Sequence, residues 1–431
     1  MESRIKERFN EDILNQAMKR YAADRGQMEE RDGFESFIYQ FCRDSKEYIL
    51  RLSHSLRRSE NLIRGEVDWI NYLAENGVTV AGAIMSQNGK LVEAINDGHG
   101  GHFLATAFVK IDGRQAGEVG WSPKLYQTYG RLLGKMHALT KDYQPKDPLA
   151  RRPQWEDSAN TECVKHLPES LVRKRYWAVM DQVAALPRDR DSFGLIHYDA
   201  HGSNMLVDKD GNICLFDFDD SLHSWFVCDI AIVLFYMTVG KEQDNASVEE
   251  FMTHFLAGYA KENRLDPKWL KEIPHFLKIR EIDLYAVIHR SFDVNNITDS
   301  WVAGFMKGRK ERIERDVPFL DYDFASLSHL MTSPSPNLLG EGRGEVPNNR
   351  YQITNYQYTR HYAGSQIHPR KHRTGQRGLG QEGREGRPGP VPGAGRQTPD
   401  HPAGGGNPEI GSQQGLRRDR QVEERKVARG R

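Results

Sequence analysis

The chain has 431 residues, with 60 Lys plus Arg balanced by 60 Asp plus Glu. The balance is uneven: residues 332–431 hold 17 Lys/Arg against 9 Asp/Glu, so the remaining body is acidic and gives no electrostatic case for nucleic acid as a main partner. Met1-Glu2-Ser3-Arg4 opens no apolar signal core, and the longest apolar run, residues 230–239, is too short to span a bilayer, which argues against a membrane partner. Cys42, Cys163, Cys214 and Cys228 lack metal-ligand spacing and read as buried free thiols of a cytoplasmic protein.

Residues 1–25 place Ile5, Phe9, Ile13, Leu14 and Met18 at helical spacing and predict one helix. Residues 33–41 alternate as a strand, Asp44-Ser45-Lys46 reads as a hairpin turn, and residues 48–52 form the second strand. A helix is expected over 61–76, closed by Gly77, then strands over 91–95 and 103–109 and a hinge at 108–110. The helix over 126–139 carries Gly130, Leu133 and His137, and His137 is expected as a packed helix-end residue. A loop over 145–153 precedes a helix over 167–186, and further helices are expected over 229–239, 248–263 and 273–294. From Ser333-Pro334-Ser335-Pro336 onward the chain is rich in Gly, Pro, Arg and Gln without apolar period, so residues 331–431 are expected to be a disordered tail. Its basic excess raises RNA or membrane binding, but no aromatic residue interleaves with the basic ones after Tyr362, and an extension without a packed role is the simpler reading.

Between the helices expected over 167–186 and 229–239 lies the chemistry. Residues 194–196 are apolar, and His197-Tyr198-Asp199-Ala200-His201-Gly202-Ser203-Asn204 is a polar loop. A short strand, a turn and a second strand then end in Asp217-Phe218-Asp219-Asp220. His-x-Asp, Asn five residues after the Asp and a later Asp is the layout of a phosphoryl-transfer loop and its metal-binding acid. Such chemistry needs a carboxylate to accept the proton of the attacking hydroxyl and hard oxygen ligands for Mg²⁺. Asp199 suits the first task; Asn204, Asp217 and Asp219 suit the second.

The loop H-x-D-x-H-x-x-N followed by D-x-D resembles the aminoglycoside phosphotransferase and choline-kinase-like superfamily, homoserine-kinase-type members included, over roughly residues 20–325. The resemblance implies an α+β, protein-kinase-like fold of two lobes. A small antiparallel-sheet N-lobe would cover 26–109 after the N-terminal helix, and a mostly helical C-lobe 110–330. ATP and Mg²⁺ are the implied cofactors. Arg51 stands where a kinase has its strand-three Lys, and Glu66, fifteen residues later, where that Lys has its partner. The phosphate-covering loop falls at residues 32–36, with Gly33 as its single glycine and Ser36 as a donor. Val109 marks the hinge beside the base. His197 is expected to orient the catalytic loop through its backbone, and Asp229 to accept that loop's N–H groups or cap a helix. His201 either touches substrate or phosphate or packs the loop, and Asp220 faces the substrate.

Acceptor contacts are sought on Trp225, as an aromatic wall for an amine or as core, and on Glu281, Tyr285 and Ile288 of the 273–294 helix, with Arg280 and Asp283 on neighbouring faces. The leading reading is an ATP- and Mg²⁺-dependent transfer of the γ-phosphate to a hydroxyl of an amino alcohol, amino acid alcohol or amino sugar. The other reading is a protein Ser/Thr-directed kinase or a pseudokinase scaffold, favoured by Arg51 and the poor glycine loop. Eight residues between Asp220 and Asp229 leave no room for a peptide-docking activation segment.

Overall fold

The structure, a computed structural model, describes residues 2–33, 35–240 and 244–331. The segment expected as a disordered tail lies, Met331 apart, outside the described residues. The single helix expected over 1–25 is two, α1 (Ser3–Lys6) and α2 (Glu11–Tyr21). Asn10 is the cause: its backbone is extended and its side chain accepts the Ile13 N–H, which starts a new helix rather than continuing the first. α2 lays Ile13, Leu14, Ala17, Met18 and Tyr21 on the outer face of the small-lobe sheet, against Tyr39, Phe41, Leu50 and Phe103. The Tyr21 hydroxyl donates between the carbonyls of Leu91 and Ala105.

The sheet is built from β1 (Glu29–Arg31), β2 (Phe37–Arg43) and β3 (Lys46–His54), then, after α3 (Glu60–Glu75), β4 (Ala83–Ile84), β5 (Glu93–Asn96) and β6 (His102–Val109). All pairs are antiparallel, in the order β1-β2-β3-β6-β4, with β5 also on β6. Asp44 and Ser45, at φ +51° and +59°, form the two-residue turn that joins β2 to β3 with Arg43 opposite Lys46. Successive side chains alternate faces, so Leu50 and Leu52 go outward under α2 while Arg51 points into the inter-lobe cleft.

Ser59 caps α3 through the Leu62 N–H, and Gly77 follows its end at φ +76°. This helix belongs to the large core rather than to the outer sheet cluster. Trp69 Nε1 donates to Thr140 Oγ1 (3.1 Å), Tyr143 donates to Asp68 (2.8 Å), Tyr72 donates to the Leu139 carbonyl (3.1 Å), and Arg152 donates to the Leu62 carbonyl (2.7 Å).

The large lobe contains β7 (Arg114–Gln115), α4 (Ala116–Val119), α5 (Pro123–Thr140), α6 (Ala159–Lys165) and α7 (Ser170–Ala184). Then come β8 (Phe193–Ile196), β9 (Met205–Val207), β10 (Ile213–Leu215) and β11 (Leu222–Trp225), and after them α8 (Phe226–Thr238), α9 (Asn245–Tyr259), α10 (Ile273–Ser291), α11 (Ser300–Met306) and α12 (Arg309–Glu314). β8 pairs with β11 and β9 with β10, both antiparallel, which sets the 197–204 loop and the acidic motif side by side. The helix expected from 167 starts at Ser170, because Pro168 disfavours helical backbone at Leu167; α6 ahead of it was not expected. Cys214 and Cys228 are buried as expected, whereas Cys42 and Cys163 are only half-buried; all four are free. No helix among the described residues is long and apolar enough to cross a membrane.

α5 and α9 cross at backbone contact. A Cβ on Gly130 or Gly134 would run into the Phe255 or Tyr259 carbonyl, and one on Gly258 into that of Gln127. Beside this crossing, buried His137 stacks on Phe226 and lies 2.8 Å from the Tyr259 hydroxyl and 3.2 Å from Asp229 Oδ2, a packed residue as expected. Burial pulls its pKa below the ordinary 6.5 despite the pull of Asp229.

Gly130→Ala should therefore cost about 1–3 kcal/mol, read as a lower Tm, because neither helix backbone can retreat. A melting curve unchanged from the parent would refute the close crossing. His137 gives a pH signature: as pH falls below about 6.5 the unfolded chain binds the proton first, so this part of the stability is present above that pH and lost below it. Urea unfolding should show a steeper loss between about pH 7 and pH 5.5 in the parent than in His137→Gln, by at most about 1.4 kcal/mol per pH unit.

Candidate active site

The 197–204 loop hangs from one carboxylate. Asp229, fully buried in the first turn of α8, accepts the His197 N–H (2.9 Å) on Oδ2 and the Tyr198 N–H (2.7 Å) on Oδ1. Tyr198 is thereby held at φ +64°, a backbone conformation that costs a non-glycine residue on the order of 1–3 kcal/mol, and its hydroxyl donates to Asp283 (3.0 Å). His197 Nε2 donates to the Phe216 carbonyl (3.2 Å) while Nδ1 accepts the Asp199 N–H, so the ring ties the loop to the acidic motif. Burial lowers the His197 pKa, with Asp229 and Asp199 opposing it, and the ring is neutral in this role.

Asp199 faces the cleft. Asn204 Nδ2 donates to its Oδ2 (2.8 Å) and to its carbonyl (3.0 Å). His201 Nδ1 accepts the Ser203 N–H, which turns Nε2 toward Asp199 Oδ2 at 3.3 Å, and its ring packs on Tyr236. Arg280 Nη2 donates to Asp199 Oδ1. Burial would raise the Asp199 pKa; His201 and Arg280 outweigh it and hold the group ionised, well below the usual carboxylate range.

The acidic motif follows β10. Asp217 sits at φ +65° and Phe218 is buried against the rings of His197 and Trp69, so the two acids flanking Phe218 are set by a core residue. Asp219 Oδ2 is gripped by Arg57 Nη1 (2.6 Å) and Arg58 Nε (3.3 Å), while buried Oδ1 makes no hydrogen bond. Its burial is outweighed by Arg57, Arg58, Arg51 and Arg152, which hold its pKa far down. Asp220 pairs with Arg58 Nη2 (2.5 Å) at the cleft. The carboxylates of Asp217 and Asp219, the latter with a buried Oδ1 that makes no hydrogen bond, and the amide oxygen of Asn204 fit a hard divalent cation that completes its shell with phosphate and water.

Across a cavity of about 680 Å³, Arg51 makes a two-pronged pair with Glu66 (2.8 and 2.7 Å), its guanidinium over the Phe108 ring. Burial works against the Arg51 charge, but Glu66 more than restores it. Ser36 lines the cleft and bonds Ser53 Oγ (2.9 Å); Gly33 lies so close to the Ser36 carbonyl that no Cβ fits there. Val109 lines the cleft at the end of β6 and donates its N–H to Gly82 (2.9 Å). Ile38, Ile49, Ala81, Phe108, Leu206 and Phe216 give this end an apolar lining.

Three expected acceptor contacts lie away from the cleft. Trp225 is fully buried, donates to the Pro187 carbonyl and packs on Trp155 and Phe193, so it is core. Glu281 is buried between Lys278 (2.5 Å) and Arg309 (2.6 Å), and Tyr285 packs on His289. The cleft stripe of α10 is Arg280, Asp283, Leu284 and Val287, about 100° round the helix from the expected one. Arg280 and Asp283, expected only on faces neighbouring the acceptor stripe, are themselves on it, and Arg57, Arg58 and Arg152 were not expected; the signal available was the Arg57-Arg58 pair just after β3.

Residues 31–267 match the phosphotransferase enzyme family. The chain is similar to the amicoumacin kinase of Bacillus subtilis (strain 168), 38% identical over 333 residues that cover 75% of this chain and 98% of that protein. A solved amicoumacin kinase in complex with AMP-PNP, Ca²⁺ and Ami superposes with a TM-score of 0.72 at 36% identity, over 76% of this chain and 100% of that one. A microcompartment-associated aminopropanol kinase shares the fold, with a TM-score of 0.55 at 18% identity over 71% of this chain and 98% of that one. A two-lobed fold, a carboxylate-bearing loop and an acidic motif facing an Arg–Glu pair thus meet a match over more than half the sequence: the chain belongs to the phosphotransferase enzyme family, as a small-molecule kinase.

Proposed function

We propose that the enzyme moves the γ-phosphate of ATP, with Mg²⁺, to a hydroxyl of a small amine-bearing molecule, with amicoumacin and amino alcohols or amino sugars as the acceptors to try first. The observation that carries this reading is that an ionised Asp199 and the Asp217–Asp219 pair share one cleft with an intact Arg51–Glu66 pair. Arg51 would hold α- and β-phosphate oxygens through its paired N–H groups, and Glu66 fixes that fork. Asn204, Asp217 and Asp219 would hold the metal, which neutralises charge on the phosphates. Asp199 accepts the acceptor's hydroxyl proton as the new oxygen–phosphorus bond forms and the bond to the β-phosphate oxygen breaks, releasing ADP. A low Asp199 pKa suits this, since positioning and charge matter more than base strength in phosphoryl transfer.

The pseudokinase reading is disfavoured by the same intact pair. The protein-kinase reading is disfavoured by β11 and α8, which begin at Leu222 and Phe226 and leave no segment to hold a peptide. Free thiols and an acidic body fit a cytoplasmic enzyme without nucleic-acid partners.

Purified protein with Mg²⁺-ATP should convert ATP to ADP in step with acceptor phosphorylation on one member of such a panel; a panel without any acceptor-dependent turnover would end this reading. Asp199→Ala should lose at least about 100-fold in kcat while Mg²⁺-ATP affinity by calorimetry stays close to the parent's, because general-base removal costs about 10²–10⁴. Asp217→Ala should instead weaken Mg²⁺-ATP binding. Arg51→Met should cost about 10-fold or more in kcat/KM for ATP, in line with about 1.5–3 kcal/mol for a hydrogen bond to a charged group, and Glu66→Gln less.

A further inference from the structure

Both oxygens of Asp199 are committed before any acceptor arrives. Oδ2 takes Asn204 Nδ2 and faces His201 Nε2, and Oδ1 takes Arg280 Nη2. The same guanidinium nitrogen donates to the Tyr236 hydroxyl (2.8 Å), and the group lies against the Tyr236 and Tyr198 rings at 5.1 and 5.9 Å. Arg280 comes from α10, on the stripe of that helix that lines the cleft. Its side chain and that of Asp199 are 8% and 10% exposed, so the pair is nearly sealed from water.

We propose that Arg280 is a specificity-determining residue that selects the acceptor alcohol against water, by closing Asp199 Oδ1 until an acceptor bound along α10 displaces or shares the guanidinium. This rests on Asp199 being the proton acceptor. Opening a buried charge pair is costly. An acceptor with many contacts can offset that cost from binding energy made elsewhere, whereas a lone water brings only its own hydrogen bonds. Without the gate, a water oxygen attacks the γ-phosphorus, the bond to the β-phosphate oxygen breaks, the water proton passes to Asp199, and ADP and inorganic phosphate leave.

The test measures phosphate release from Mg²⁺-ATP without acceptor, acceptor phosphorylation, and Mg²⁺-ATP affinity by calorimetry, on the full chain. Arg280→Met should raise acceptor-independent release at least 10-fold and lower the ratio of transfer to release by a similar factor, with Mg²⁺-ATP affinity within about threefold of the parent's. Arg280→Lys should restore part of the coupling, and added methylguanidine should suppress the release in Arg280→Met. Transfer and release falling together, or transfer lost with release unchanged, overturns the proposal. If Arg280→Met does not fold, Tyr236→Phe serves, with a smaller rise in release expected and no rise overturning it. In Arg280→Met/Asp199→Asn the excess release should vanish; an excess that persists there overturns Asp199 as the proton acceptor, a failure distinct from the absence of any excess in the single variant.

Discussion

The active loop depends on one buried carboxylate. A fully buried Asp229 is tolerable only because donors reach both of its oxygens, two loop amides and the His137 ring among them. In return it fixes the loop in a backbone conformation the sequence would not choose, with Tyr198 left-handed and Asp199 turned into the cleft. The loop has little apolar surface of its own to hold that shape. Its geometry is borrowed from the start of α8, whose remaining residues are core almost throughout.

Around the cleft, carboxylates and guanidiniums are matched one to another. Glu66 has Arg51, Asp219 has Arg57 and Arg58, Asp220 has Arg58, and Asp199 has Arg280. Arg152, buried behind the motif, donates to the carbonyls of Asp219 and Ser221 and so sets its backbone. Arginine suits this setting because its charge is permanent and its planar fork loses little freedom on pairing. The arrangement keeps Asp199 and Asp219 ionised where burial alone would protonate them.

Much of this was legible in the chain. The spacing of His197, Asp199, Asn204 and Asp217 is local, held within two short hairpin-like segments, so sequence distance reports spatial distance. The hairpin at Asp44-Ser45 and the end of α3 at Gly77 follow from equally local rules, whereas the Arg51–Glu66 pair, on two elements fifteen residues apart, was legible only through the resemblance to kinases. The acceptor side was not legible, because α10 is buried on nearly every face and its periodicity carries no phase. A shift of one residue exchanges Glu281 and Tyr285 for Arg280, Asp283 and Leu284. Trp225 failed for a related reason: a tryptophan beside a motif looks the same whether its ring meets solvent or three other aromatic rings. Asn10 misled in the opposite way, since one capping side chain inside an unbroken apolar period was enough to split a helix.

The attachment of α3 carries a mechanical consequence. Its hydrogen bonds to Thr140, Leu139, Tyr143 and Arg152 bolt it to the large lobe, whereas β3 sits in the sheet, clamped on its far side by α2. Glu66 thus sits on a helix fastened to the large lobe and, through the Asn71 side chain on the Ala83 backbone, to β4, while Arg51 sits in the middle of the sheet. Separating the sheet from the large lobe would have to break the two-pronged bond between them, so the pair is also a latch on the width of the cleft.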